Sequence, residues 1–329
     1  MTLIAPTLEA FFTERLCHQR QASPHTITSY RDAFRLLLCF AHEQTNKTPS
    51  ALDFSDLDAE LIGEFLAYLE ADRHNSVRTR NARLAAIRSF FRYASYREPA
   101  HAALIQQVLA IPEKRSRRRI VSYLTVTEIN AVLAACDRTT WNGRRDHALI
   151  ALAIQTGLRV SELTHLRCGD VSFGVGAHIR VEGKGRKQRV TPLSRQSVSV
   201  LRTWLAERHG QPDDPVFVTR RRTALSSDAV SDLVAKHVGT ATGRCRTLTA
   251  KNVTPHTLRH SCAMQLLASG VDQAVIALWL GHEQSQTTQI YLHGDLTIKQ
   301  RALARTTPAN TRPGRYRPPD KLLAFLEGL

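Results

Sequence analysis

The six cysteines, Cys17, Cys39, Cys136, Cys168, Cys245 and Cys262, include no CxxC spacing. The sequence therefore offers neither a zinc frame nor a disulfide framework, and the thiols read as reduced residues of a cytosolic protein. No apolar run approaches the roughly 18 residues of a membrane span, and the stretch from Met1 lacks a signal-peptide pattern. Internal repeats and low-complexity segments are absent. The G-x-x-x-x-G-K-[ST] pattern is missing too, which argues against a nucleotide P-loop. Two further absences are local: residues 53–72 contain no Lys or Arg, and residues 73–97 contain no Asp or Glu.

The 329 residues suit about two domains, each long enough for its own core. With 45 Lys and Arg against 29 Asp and Glu, the net charge is +16 and the sequence pI about 10.2. That balance favours a polyanionic partner, with DNA or RNA ahead of an anionic membrane surface. Residues 1–112 hold 12 basic and 12 acidic side chains, so the whole excess lies beyond them.

The first 112 residues read as almost entirely helical. Ser23-Pro24 is an N-cap with a first-turn proline, opening a helix that buries Tyr30, Phe34, Leu37, Leu38 and Ala41. Ser76 caps another, with Val77, Leu84, Ile87, Phe90, Phe91 and Ala94 as its apolar stripe. The charge segregation favours a basic helix turned toward phosphate through Arg78, Arg80, Arg83 and Arg88. The competing reading is an antiparallel acidic–basic helix pair joined by surface ion pairs, each worth little. Pro112 to Arg119 reads as an exposed charged linker, placed at 113–123, before a second domain at 124–305. Thr125 and Glu128 fit a capping box at its start.

In that second region, an apolar helix at 146–156 stops at Gly157, and Arg159 opens a short helix containing Glu162, close enough to orient it. Residues 178–193 predict a β-hairpin around Gly183-Lys184-Gly185-Arg186, with Ile179, Val181 and Val190 marking the alternation. Helices are expected at 195–208, ended by Gly210, and at 227–238, ended by Gly239. Arg220-Arg221-Arg222 between them is a basic run. Thr254-Pro255 caps a helix that Gly270 closes, and His256 and Arg259 share a face near its positive end, where phosphate is favoured. His256 and His260 have zinc-like spacing. Thr257, however, stands where HExxH has its glutamate, and Arg259 between the two histidines opposes a cation. A helix from Asp272 ends at Gly281 and places His282 at its end, and Tyr291 lies on a third short helix.

Arg159 in TGLRVSEL, Lys184 in GKGRKQR, HTLRH, LGH, and a Tyr beyond His282 together resemble the tyrosine recombinase (phage integrase) family, over nearly the whole chain. The chain looks similar to Xer-like or transposon-borne recombinases, with no room for an arm-binding domain. The resemblance implies a mainly α fold with a small antiparallel β-sheet. A helical, SAM-like core-binding domain (1–112) would precede an α+β catalytic domain. It implies catalysis by Arg159, Lys184, His256, Arg259, His282 and Tyr291, through a 3′-phosphotyrosyl intermediate and with no metal or cofactor. Tyr291 would be the nucleophile and His256 the base, with Lys184 protonating the leaving oxygen; Arg186 joins the candidate DNA contacts. The expected partner is double-stranded DNA with an inverted-repeat core site. The expected assembly is a homotetramer on two duplexes, alone or with a related recombinase, in the bacterial cytoplasm or nucleoid and away from membranes. Residues 306–329, with Pro308, Pro313, Pro318 and Pro319 before Leu322, Leu323, Phe325 and Leu326, would exchange between protomers. Two other readings compete: a catalytically silent DNA-binding accessory protein, and a type IB topoisomerase that relaxes DNA.

Overall fold

Ser23 and Ser76 each accept an amide hydrogen bond from the residue three positions on, Thr26 and Thr79, and so start the two long helices of the first unit. The computed structural model describes residues 2–115, 121–183 and 188–281, which divide at residues 118 and 119 into two compact units. In the first unit, α1 (Ile4–Ala10) runs on as a π-helix over Phe11–Gln19. It is followed by α2 (Pro24–Thr45), α3 (Ala59–Ala71), α4 (Val77–Ala94) and α5 (Ala102–Ala110).

Aromatic rings fill this core. Eight of the chain's 11 phenylalanines fall within the first 91 residues. Phe90 lies edge-on to Phe11 at 5.6 Å and to Phe34 at 5.4 Å, and stacks on Phe54 at 6.2 Å. Each ring buried this fully contributes about 1.5–3 kcal/mol. The expected stripe is present, with Leu84, Ile87, Phe90, Phe91 and Ala94 all buried, while Val77 at its start is only half-buried. No ion pair joins the acids of 53–72 to the arginines of 73–97; Glu70 instead meets Lys114.

The second unit is built around α7 (Trp141–Thr156), buried on most sides. Against it pack α6 (Val126–Ala134), α9 (Arg195–Arg208) and α11 (Pro255–Ala268); α10 (Ser227–Thr242) packs on α6 and α8 (Val160–His165), and α12 (Gln273–Leu280) on α11. The Thr125–Glu128 capping box forms as expected. A three-stranded antiparallel sheet, β1 (Val171–Ser172), β2 (His178–Glu182) and β3 (Gln188–Pro192), carries the hairpin. Its register pairs Ile179 with Thr191 and Val181 with Arg189 on the buried face, leaving Val190 exposed. Val190 is therefore not part of the inward alternation.

Two helix ends differ from expectation. After α9 the left-handed position is taken by His209, at φ 52°, and not by Gly210. α10 runs through the exposed Gly239 to Thr242, because Val238 and Ala241 continue its buried stripe. Packing there outweighs the cost of a helical glycine, about 1 kcal/mol. No helix among the described residues is long and apolar enough to cross a membrane.

Candidate active site

Both α7 and α12 end on left-handed glycines, Gly157 and Gly281, each at φ 65°. Such ends leave carbonyls without helical donors and carry the negative end of the helix dipole. At Gly157 a Cβ would sit 2.4 Å from Leu280 Cδ2 and 3.2 Å from Cys262 Sγ, so conformation and close packing both demand glycine.

Two guanidiniums meet these ends. Arg259, on α11 and 2% exposed, donates to the carbonyls of Gly157 and Leu280, each at 2.6 Å. Arg159, immediately before α8, donates through Nη2 to Gly281 O at 2.9 Å. The two arginines thus bind successive carbonyls at the end of one helix. Arg159 also donates through Nη1 to Glu162 Oε1 at 2.9 Å, and its amide reaches Oε2 at 2.7 Å. Glu162 orients Arg159, as its spacing suggested.

A third arginine completes the cluster. Arg189, facing inward on β3, donates both Nη atoms to the two Glu162 oxygens at 2.7 Å, and its Nε to Trp279 O at 3.2 Å. The Glu162 side chain is 3% exposed. Burial alone would raise its carboxyl pKa, but Arg189 and then Arg159 outweigh burial and hold it below the usual value. Sequence reasoning missed Arg189. The only local signal was its place in a basic run, and its pairing with Glu162 is long-range.

Arg159 keeps a third of its side chain exposed. It opens on a cleft of about 690 Å³ whose walls include His165, Arg167, Arg180, Gly183 and Gln188. His256 is exposed in the first turn of α11, its ring edge-on to His260 at 4.2 Å. Lys184, Arg186, His282 and Tyr291 lie outside the described residues. The described neighbours are Gly183, which lines the cleft, and Gly281, which closes α12. The cluster joins a buried, neutralised carboxylate to guanidinium forks, a donor set matched to a tetrahedral oxyanion.

In the first unit the arginines on α4 divide. Arg78 is exposed, while Arg83 is half-buried and burial lowers its pKa. Arg80 is buried and donates to Pro112 O at 3.1 Å, and Arg88 donates to Ile111 O. Asn81 exchanges hydrogen bonds with the Lys114 backbone in both directions, at 2.8 and 3.2 Å. Arg80 and Arg88 therefore hold their own chain, and the segment read as an exposed charged linker starts out fastened to α4. Elsewhere on this unit, Arg15, Arg20, Arg92 and Arg97 line a hollow of about 430 Å³ with Tyr93 and Tyr96.

Residues 122–297 match the phage integrase family, and residues 10–98 match the N-terminal SAM-like domain of phage integrases. A Sinorhizobium fredii chain named as an integrase/recombinase, y4rC, is 53% identical over 326 residues, covering 99% of this chain and 98% of that one. The tyrosine recombinase XerC of Pelobacter propionicus is 31% identical over 284 residues, 84% of this chain and 87% of its own. The fold is that of the XerH site-specific recombinase bound to its difH substrate (TM-score 0.70, 24% identity, 87% and 81% of the two chains). It is also that of the Tn1549 transposon integrase in complex with circular intermediate DNA (TM-score 0.69, 15% identity, 93% and 100%). The chain belongs to the phage integrase family, the tyrosine recombinases that break and rejoin DNA strands in site-specific recombination.

Proposed function

We propose that the chain exchanges DNA strands through a covalent bond between Tyr291 and a 3′-phosphate. The carrying observation is the convergence of Arg159 and Arg259 on the carbonyls that end α7 and α12. Attack on a phosphodiester builds negative charge on the non-bridging oxygens, so catalysis is mostly positioning and electrostatic stabilisation. Two guanidiniums fixed by backbone carbonyls, one beside an open cleft, supply that stabilisation with little reorganisation.

In this reading the Tyr291 phenolic oxygen bonds to phosphorus as the bond to the 5′-oxygen breaks. His256 takes the phenolic proton, and Lys184 gives a proton to the departing 5′-oxygen, leaving a free hydroxyl. His282 donates a hydrogen bond to the phosphate. The phosphotyrosyl ester keeps the bond energy, and attack by another strand's 5′-hydroxyl reverses the steps. The substrate is double-stranded DNA with an inverted-repeat core site. Two duplexes are held by four protomers of this chain, alone or with a related recombinase, in the bacterial cytoplasm or nucleoid. Residues 306–329 pass between protomers. In the first unit, phosphate contacts fall to Arg78 and Arg83 and to the hollow around Arg92, and Arg186 adds one in the second. The division of the chain into a core-binding domain at 1–112 and a catalytic domain at 124–305 belongs to the same reading.

The test is a nicked suicide duplex carrying a site that this protein has selected from a random-sequence pool. The wild type should leave an SDS-stable protein–DNA adduct and Tyr291→Phe none. An adduct formed by Tyr291→Phe would remove Tyr291 as the nucleophile.

A further inference from the structure

We propose that Arg189 is a positioning residue: it neutralises Glu162, so that Arg159 keeps its positive charge for the scissile phosphate. This rests on the reading of Arg159 as a phosphate clamp. Glu162 is one buried negative charge between two guanidiniums. A carboxylate this buried must be paired, because an unpaired buried charge is among the costliest defects in a protein interior. If Arg159 were its sole partner, the two charges would cancel, and the fork meant for phosphate would be held as an internal ion pair.

Arg189 changes that balance. It takes both carboxylate oxygens in a fork-to-fork pair, while Arg159 reaches Oε1 through one Nη atom only. Arg189 is the more enclosed of the two, its side chain 12% exposed against 33% for Arg159. Its Nε bond to Trp279 O fixes it to the last turn of α12, and Gly281 leaves room for it: a Cβ there would come within 3.0 Å of Arg189 Nη1. The trio carries a net charge of one positive unit, placed on the member that faces the cleft. An alternative use of the same contacts is a brace, with Arg189 merely tying β3 to α8 and α12.

Charge and brace give opposite signs in a double substitution. The rate of adduct formation is measured in a single turnover on the selected nicked duplex, alongside duplex affinity. Arg189→Gln should slow cleavage by about 10²-fold, comparable to loss of one oxyanion donor, with affinity changed by less than about threefold. Adding Glu162→Gln to Arg189→Gln removes the stranded charge and should restore at least about tenfold of the loss, roughly one 1.4 kcal/mol step in the barrier. A brace predicts that the second substitution leaves the rate unchanged or lower, and that result overturns the proposal.

Should Arg189→Gln fail to fold, Arg189→Lys is the readout. A retained charge should keep cleavage within about tenfold of wild type, and a folded Arg189→Lys slowed by about 10²-fold counts against charge as the cause. Arg159→Ala separates the two levels. If it cleaves like wild type, the clamp reading falls. If it is crippled while Arg189→Gln cleaves normally, only the present inference falls.

Discussion

Arg80 and Arg88 in the first unit, and Arg159 and Arg259 in the second, make contacts that look alike. Each pair donates to two successive backbone carbonyls, those of Ile111 and Pro112 in one unit and of Leu280 and Gly281 in the other. Burial does not separate them, since Arg259 at 2% exposure is as enclosed as Arg80 at 6%. What differs is the company. The carbonyls held by Arg80 and Arg88 lie in the non-helical segment that follows α5, and Arg88 has an exposed glutamate, Glu113, at 3.5 Å. The other carbonyls close a glycine-capped helix, beside a buried carboxylate already neutralised by a third arginine and next to an open cleft. The first arrangement closes a domain on itself. The second, in the proposed reading, prepares cations for a phosphate, and a run of arginines in a sequence does not distinguish the two.

The largest effect should come from Arg259→Ala. It removes a proposed phosphate donor, worth about 10²–10³-fold in rate. It also leaves Gly157 O and Leu280 O without their donor, at about 1–3 kcal/mol for each buried group. Single-turnover adduct formation and urea unfolding report the two effects separately. A variant that loses stability but cleaves at the wild-type rate would make Arg259 a twin of Arg80, a purely structural arginine.

Gly157→Ala should come next. The left-handed φ and the 2.4 Å approach to Leu280 both resist a methyl group, for about 1–3 kcal/mol of stability. Because the Gly157 carbonyl anchors Arg259, cleavage should fall with it. A urea midpoint unchanged from wild type would mean that the two helix ends are less tightly locked than the contact implies.

Arg88→Gln tests the other half of the comparison. The charged donor to Ile111 O contributes about 1.5–3 kcal/mol at most. Its loss should speed amide hydrogen exchange over residues 111–114, with little change in cleavage rate or in the salt dependence of DNA binding. A clear drop in that salt dependence would return Arg88 to the phosphate contacts.

The parts of this fold that were legible in the sequence are local. Ser23, Ser76, Thr125 and Thr254 all cap the helices expected of them, because a cap is a side chain bonding an amide about three residues away. Gly157 and Gly281 end helices for an equally local reason. Gly239 misled because the apolar stripe of α10 continues past it, and no local rule says when packing overrides propensity. At the site, Arg159, Arg259 and the Arg159–Glu162 pair were readable from motif and spacing. Arg189 was not, since its role exists only after β3 brings it against α8 and α12. The same blindness put Arg80 and Arg88 among the phosphate contacts, because a charge count does not see which face of a helix is turned inward.

The smallest effect is the one that decides where the first unit meets DNA. Arg92 is exposed on the same helix as Arg80 and Arg88, and it has no ion-pair partner among the described residues. It lines a hollow that Arg15 and Arg20 make more positive, while Arg97, set over the Tyr93 ring at 4.8 Å, is partly neutralised by Glu14. A phosphate seated there releases a counterion, so removing the contact should lower the slope of log affinity against log salt by about 0.9 without altering which site is bound. Arg92→Gln measured by salt titration on the selected duplex should show that change, and Arg88→Gln should not. If instead Arg88→Gln lowers the slope and Arg92→Gln leaves it unchanged, the inward and outward faces of α4 have been assigned in reverse. The contrast between arginines that hold the chain and arginines that hold DNA would then fail on the helix where it should be plainest.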